Sequence, residues 1–216
     1  MSETDQNAIP SVETCGSLPR RFVAPSQTRR SILAMALASG ACATVLAPAV
    51  ADDDQPGSDE RPQKADLLVF SEGDRTGQVI QPHDLNLGGP PVLAWPKDPH
   101  TGVVREGSRL NEVLVVKLDP AELDDDTRAR AADGIVAYSA ICSHAGCPVT
   151  AWVKGAAGDK DVFKCVCHNS EYDPRQGAQV VFGPAPRRLA PLPLASAGDS
   201  LTVAATFVGK VGQQTG

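Results

Sequence analysis

From residue 67 onward the chain is built of short apolar runs separated by turn-forming residues. The runs predict strands at 67–70, 92–95, 113–117, 135–141, 149–153, 162–165, 180–182 and 201–207. One helix is signalled. Asp119 reads as its N-cap, Pro120 fills the first helical position and Glu122 the third. It is expected to run to about Ala132 and to stop at Gly134. Eighteen Pro and 19 Gly in 216 residues agree with short strands and loops rather than a helical bundle. The predicted fold is all-β: a small antiparallel β-sandwich with one inserted helix.

The pattern changes upstream. Residues 52–66 are charged, carry two prolines and contain no apolar cluster, so they read as a flexible linker. That leaves 67–216 as the folded domain. Thr28, Arg29, Arg30 and Ser31 precede an uncharged run over 31–51. A twin arginine ahead of an apolar run is the pattern of a Tat export signal, which assigns 1–51 to a leader and the domain to the periplasm. Ala49, Val50 and Ala51 form an A-x-A cleavage site. The same run has the length needed to span a bilayer, so 31–51 also fits a retained membrane anchor. Cleavage and retention both stay open.

Charge narrows the partners. The net charge is −6, and without residues 1–51 it is −7, from 16 basic and 23 acidic residues. A nucleic-acid partner would favour a basic face and is not expected. Aromatic residues make up 4% of the chain, so the core must be mostly Val, Leu and Ala.

The chemistry lies in two stretches, CSHAGC at 142–147 and CVCHNS at 165–170. Each offers one thiol and one imidazole at close spacing, Cys142 with His144 and Cys165 with His168. Each holds a further cysteine, Cys147 and Cys167. Two Cys and two His are the ligand set of a Rieske [2Fe–2S] cluster, in which two imidazoles replace two thiolates on one iron. A structural zinc could use the same four donors, but it would leave Cys147 and Cys167 without a purpose. His83 and His100 sit in polar, proline-rich segments and read as surface residues. Trp95 and Trp152 read as strand or core residues.

On these motifs the chain resembles the Rieske iron–sulfur family. The resemblance implies a Rieske fold with a cluster-binding subdomain at about 139–188. It implies that Cys142 and Cys165 bind the inner iron and that His144 and His168 bind the outer one. Cys147 and Cys167 match a pair that forms a disulfide between the two loops in many members. Ser170 and Tyr172 match hydroxyls that hydrogen-bond the cluster in high-potential members. Gly146 belongs to the first loop, and Gly183 and Pro184 begin the proline-rich loop that covers the cluster. Neutral imidazoles raise the potential, to about −150 to +300 mV for Rieske centres.

The expected function is electron transfer. No further metal set or nucleophile–base pair would make the chain an enzyme alone. The segment 135–148 resembles the small subunit of arsenite-oxidase-type molybdoenzymes, as does the leader. That implies a molybdopterin subunit as donor and a periplasmic c-type cytochrome or copper protein as acceptor. Cys167, His168, Ser170, Tyr172 and Asp173, with 183–186 and Leu189, resemble cytochrome bc-type Rieske subunits instead, which implies a cytochrome b partner. The first reading is preferred, the second is the alternative, and a stand-alone periplasmic electron carrier is the third. Three residues depart from the cytochrome bc pattern. Ala145 replaces a bulky apolar residue, and Val166 and Asn169 replace Pro and Gly. Asn169 is expected to keep the loop's left-handed turn.

Overall fold

A computed structural model describes residues 55–156 and 158–213; the leader, the cleavage site and the anchor expected at 31–51 lie outside them. Among the described residues, no helix is long and apolar enough to cross a membrane. Two strands organise the molecule. β3 (Val113–Lys117) pairs antiparallel with β4 (Ile135–Ser139), Val115 standing opposite Ala137. Successive strand residues point to opposite faces. Val113, Val115, Ile135 and Ala137 enter one apolar core, while Leu114, Val116, Val136 and Tyr138 enter a second. Both faces are covered, which is why these strands are apolar throughout rather than alternating.

The first core belongs to a seven-stranded antiparallel sheet. It includes β1 (Leu67–Phe70), β2 (Val92–Lys97), β9 (Pro191–Leu192), β10 (Leu194–Ala197) and β11 (Ser200–Val203). The order is β10-β11-β1-β2-β3-β4-β9. The edge strands β9 and β10 are joined through Pro193 alone, which curls the sheet towards a barrel. Leu68, Ile80, Leu192 and Leu201 fill its interior.

The second core lies under a four-stranded antiparallel sheet, β5-β6-β7-β8. Its strands are β5 (Ala151–Lys154), β6 (Asp161–Cys165), β7 (Ser170–Asp173) and β8 (Gln179–Phe182). In the chain this sheet falls between β4 and β9, which are themselves paired. It is therefore an insertion into the larger sheet. Phe163, Tyr172, Leu189, Cys142 and Cys165 are all buried in its core. Tyr138 packs edge-on to Phe163 and donates to the Pro174 carbonyl at 2.7 Å. Trp152 packs on Phe163 at 5.3 Å between centroids.

The long helix does not form. Asp119 caps a single 3₁₀ turn, Pro120–Glu122, by accepting from Ala121 N. The chain then extends at Leu123, which is buried. Asp124 starts a second turn by accepting from Thr127 N at 2.7 Å, and α1 is only Asp125–Arg128. Consecutive aspartates compete with the helix for backbone donors. Glu122 does not complete a capping box; its carboxylate accepts from Arg175 Nε at 2.7 Å. Strands β7, β9 and β10 were not predicted, and the last strand ends at Val203 rather than 207.

The charged segment expected as a linker is folded against the domain from Gln55 on. Arg105 donates to both carboxylate oxygens of Asp66, at 2.6 and 3.1 Å, and to Glu60 at 3.0 Å. The Arg105 and Asp66 side chains are 4% and 3% exposed. Asn111 Nδ2 also donates to Glu60 O at 2.8 Å. Breaking a buried pair leaves an uncompensated charge. Arg105→Ala should therefore cost about 3–5 kcal/mol of stability, read from the urea midpoint. A loss below about 1 kcal/mol would show that Asp66 does not need its partner.

Candidate metal centre

Three loops meet at one end of the small sheet. The first leaves β4 and closes through a bridge between Ile141 and Pro148. Within it Cys142 N donates to Cys147 O at 2.8 Å and Gly146 N to Cys142 O at 3.1 Å. Gly146 takes the left-handed conformation, φ 69°, and its carbonyl accepts from Arg109 Nη1 at 2.9 Å. This fold-back buries Cys142 and leaves His144 half-buried and Ala145 exposed.

The second loop is the turn of the β6–β7 hairpin, with Cys165 directly opposite Ser170. Asn169 supplies its left-handed residue, φ 60°, as expected. Cys165 is buried, while Val166, Cys167 and His168 are exposed. The third loop begins at Gly183, φ 89°, whose backbone lies on the second loop. A Cβ there would stand 2.6 Å from both Asn169 O and Ser170 Cα, so only glycine fits. Pro184 follows at the surface. Ala185 N donates to Ser170 Oγ at 3.2 Å, and Ser143 Oγ donates to Arg187 O at 2.5 Å. Ser143, Arg109 and Arg187 thus tie the loops together. No sequence signal singled out Arg109 or Arg187, and Ser143 stood out only by lying within the first motif.

The donors converge. The His144 and His168 rings meet edge to face, 4.6 Å between centroids. Cys142 and Cys165 are both buried in the floor. Tyr172, fully buried, places its hydroxyl 3.0 Å from Cys142 Sγ. Cys147, Cys165 and Cys167 have their sulfurs within 4.8 Å of one another. That trio contains just one of the four expected ligands; Cys147 and Cys167 form the lip of the same site. All four cysteines are unbonded in this structure, so the expected Cys147–Cys167 disulfide is not formed in it, although the two sulfurs lie within 4.8 Å. His83 and His100 lie exposed, as expected.

The electrostatics favour a cationic centre. Burial pushes the Cys165 thiol up to about 12, and neighbouring Cys142 adds to the shift. Burial and the contact with Cys142 raise the Tyr172 phenol. The hydrogen bond with Cys167 raises the Cys147 thiol. Ionised thiolates in this floor need a positive charge, which iron supplies. His144 Nδ1 is buried without a hydrogen-bond partner. Buried polar atoms are nearly always paired, so this nitrogen is set for a ligand. Two thiols below and two imidazoles above fit a [2Fe–2S] group of the Rieske type.

Gly183→Ala should separate the second and third loops. A methyl group at 2.6 Å from backbone, on a positive φ, should cost about 1–3 kcal/mol and leave the two thiols more accessible. Faster alkylation of Cys142 and Cys165 in the metal-free protein would show it. Unchanged alkylation would mean that the close approach is not needed.

The profile of the Rieske [2Fe–2S] domain matches residues 96–193. The cytochrome bc1 complex Rieske iron–sulfur subunit of Streptomyces lividans is 30% identical over 125 residues, covering 56% of this chain and 69% of that protein. The corresponding subunit of Mycobacterium tuberculosis is 28% identical over 149 residues, covering 62% of this chain and 34% of the relative. A putative respiratory nitrate reductase Rieske subunit of Haloferax mediterranei is 39% identical over 80 residues, covering 37% and 34%. The chain thus spans only about a third of the last two. The soluble domain of Rieske protein II from Sulfolobus acidocaldarius aligns over 71% of this chain and 81% of that one, with 17% identity and a TM-score of 0.34. With its paired thiol–imidazole loops and this likeness to the Streptomyces subunit, the chain belongs to the Rieske [2Fe–2S] family.

Proposed function

We propose that this chain is the electron-transferring Rieske subunit of a cytochrome bc-type quinol-oxidising complex. Relatives that are cytochrome bc1 Rieske subunits carry the reading, over more than half of this chain. The arsenite-oxidase-type assignment preferred from segment 135–148 gains no support from these relatives. A relay within another respiratory reductase stays as the second reading. It is favoured by the Haloferax relative and by Ala145, which offers no bulky contact for a cytochrome b.

In this reading Cys142 and Cys165, in the buried floor, would hold one iron, and His144 and His168 would hold the other. The cluster supplies one-electron oxidation and reduction. The chain sets the rest. The exposed His168 imidazole can accept a hydrogen bond from a reduced quinone and take up its proton. Tyr172 donates to the Cys142 sulfur once that sulfur is a thiolate. Ser170 Oγ accepts from Ala185 N and so keeps its own proton free to donate inward. Both hydroxyls stabilise an added negative charge. The exported domain would face the periplasm, where oxidising conditions permit a Cys147–Cys167 disulfide.

Native purification from membranes, with haem b and molybdenum measured in what co-purifies, tests the assignment. Haem b without molybdenum supports it; molybdenum without haem b would replace it with the molybdoenzyme relay. Tyr172→Phe and Ser170→Ala should each lower the midpoint potential by tens of millivolts, 59 mV corresponding to about 1.4 kcal/mol for one electron. Unchanged potentials in both would remove the hydroxyls from the site. Thiol counting on the exported protein should find Cys147 and Cys167 bonded, and two free thiols there would refute the disulfide.

A further inference from the structure

Beside the first metal loop opens a groove of about 310 Å³. Arg61, Arg109 and Lys210 line it, with Leu110, Ala145 and Gly146, and no carboxylate does. All three cations are exposed. Among the described residues none of the three is ion-paired, and the one hydrogen bond their side chains make is from Arg109 to Gly146 O. Seven other cations, Arg75, Arg105, Arg128, Lys154, Lys160, Lys164 and Arg175, each meet a carboxylate, whereas the three in the groove stand together with none. Arg187, which meets no carboxylate either, reaches the groove's edge by donating to the Gly212 carbonyl.

The chain as a whole carries a charge of −6, so this groove has a local field opposite to the molecule's own. Ala145, on its wall, directly follows His144. We propose that the groove is the docking site for an acidic face of a redox partner protein, which exchanges electrons with the centre on the His144 side. The proposal rests on the electron-transfer reading above. A protein fits better than a small anion. The exposed cations share the groove with Leu110, 38% exposed, and Ala145, a mixture of apolar and charged side chains that suits a protein surface. Rim charges of this kind govern encounter rates.

The test uses the full-length protein with its cluster reduced, oxidised in stopped flow by ferricyanide, an anion, or by tris(phenanthroline)cobalt(III), a cation. In the first case one electron passes from the cluster to ferricyanide, giving ferrocyanide. Arg61→Gln/Lys210→Gln should slow ferricyanide about tenfold at low ionic strength. The difference should vanish near 1 M salt, where the screening length is about 3 Å. The cobalt reagent should react as fast or faster. Poly-L-glutamate should inhibit ferricyanide oxidation of the unaltered protein and not of the variant. Equal ferricyanide rates in the two proteins, or equal slowing of both reagents, would overturn the docking site while an intact EPR signal of the reduced cluster upheld the function. Absence of that signal from the unaltered protein would overturn the electron-transfer reading and this proposal with it.

Discussion

β4 belongs to two cores at once, and the metal site depends on that. One of its faces fills the barrel through Ile135 and Ala137; the other floors the small sheet through Val136 and Tyr138. Three residues after the strand ends comes Cys142. A strand packed on both faces has no freedom to slide, because a shift of one residue would exchange its two side-chain sets. The first thiol is therefore positioned by packing that extends well beyond the site. The second is positioned by hairpin register, with Cys165 opposite Ser170. Backbone contact at Gly183 then fixes the distance between the second and third loops.

This arrangement separates two jobs by depth. The thiols and the Tyr172 hydroxyl lie where water is excluded, so their hydrogen bonds and charges act at full strength. The imidazole of His168 lies where a partner and a proton can reach it. The chain has few aromatic residues, and three of them, Tyr138, Phe163 and Tyr172, are buried in the core beneath this site.

The sequence made the site more legible than the fold around it. Thiol and imidazole spacing is chemistry, and the left-handed turn at Asn169 follows from what an asparagine side chain tolerates. The apolar runs of β1, β3 and β6 announced themselves for the same reason. β7 did not. Ser170, Glu171, Tyr172 and Asp173 are all buried, yet three are polar, because Glu171 meets Lys164 and Ala156 N while Asp173 accepts from Arg175 N. Partners on the adjacent strand and in the flanking turns make a polar strand possible, and periodicity cannot see them. The helix at 119–132 failed for the converse reason. Asp124 caps a new turn in mid-segment, and Glu122 is held by Arg175, 53 residues away. The segment at 55–66 looked unstructured since its charges find their partner at Arg105, far along the chain.

The pairing of β4 with β9 has a meaning beyond packing. Ala137 faces Leu192 and Tyr138 faces Pro191, so the chain leaves the larger sheet and returns to it at adjacent positions. Neighbouring antiparallel strands lie about 5 Å apart. Everything between, including all three loops, is a cassette with closely spaced ends. Such a segment can lengthen, shorten or change its chemistry without asking the barrel to move. Redox character and scaffold can therefore evolve on separate schedules, and the cassette is the natural unit to exchange when such a protein is redesigned.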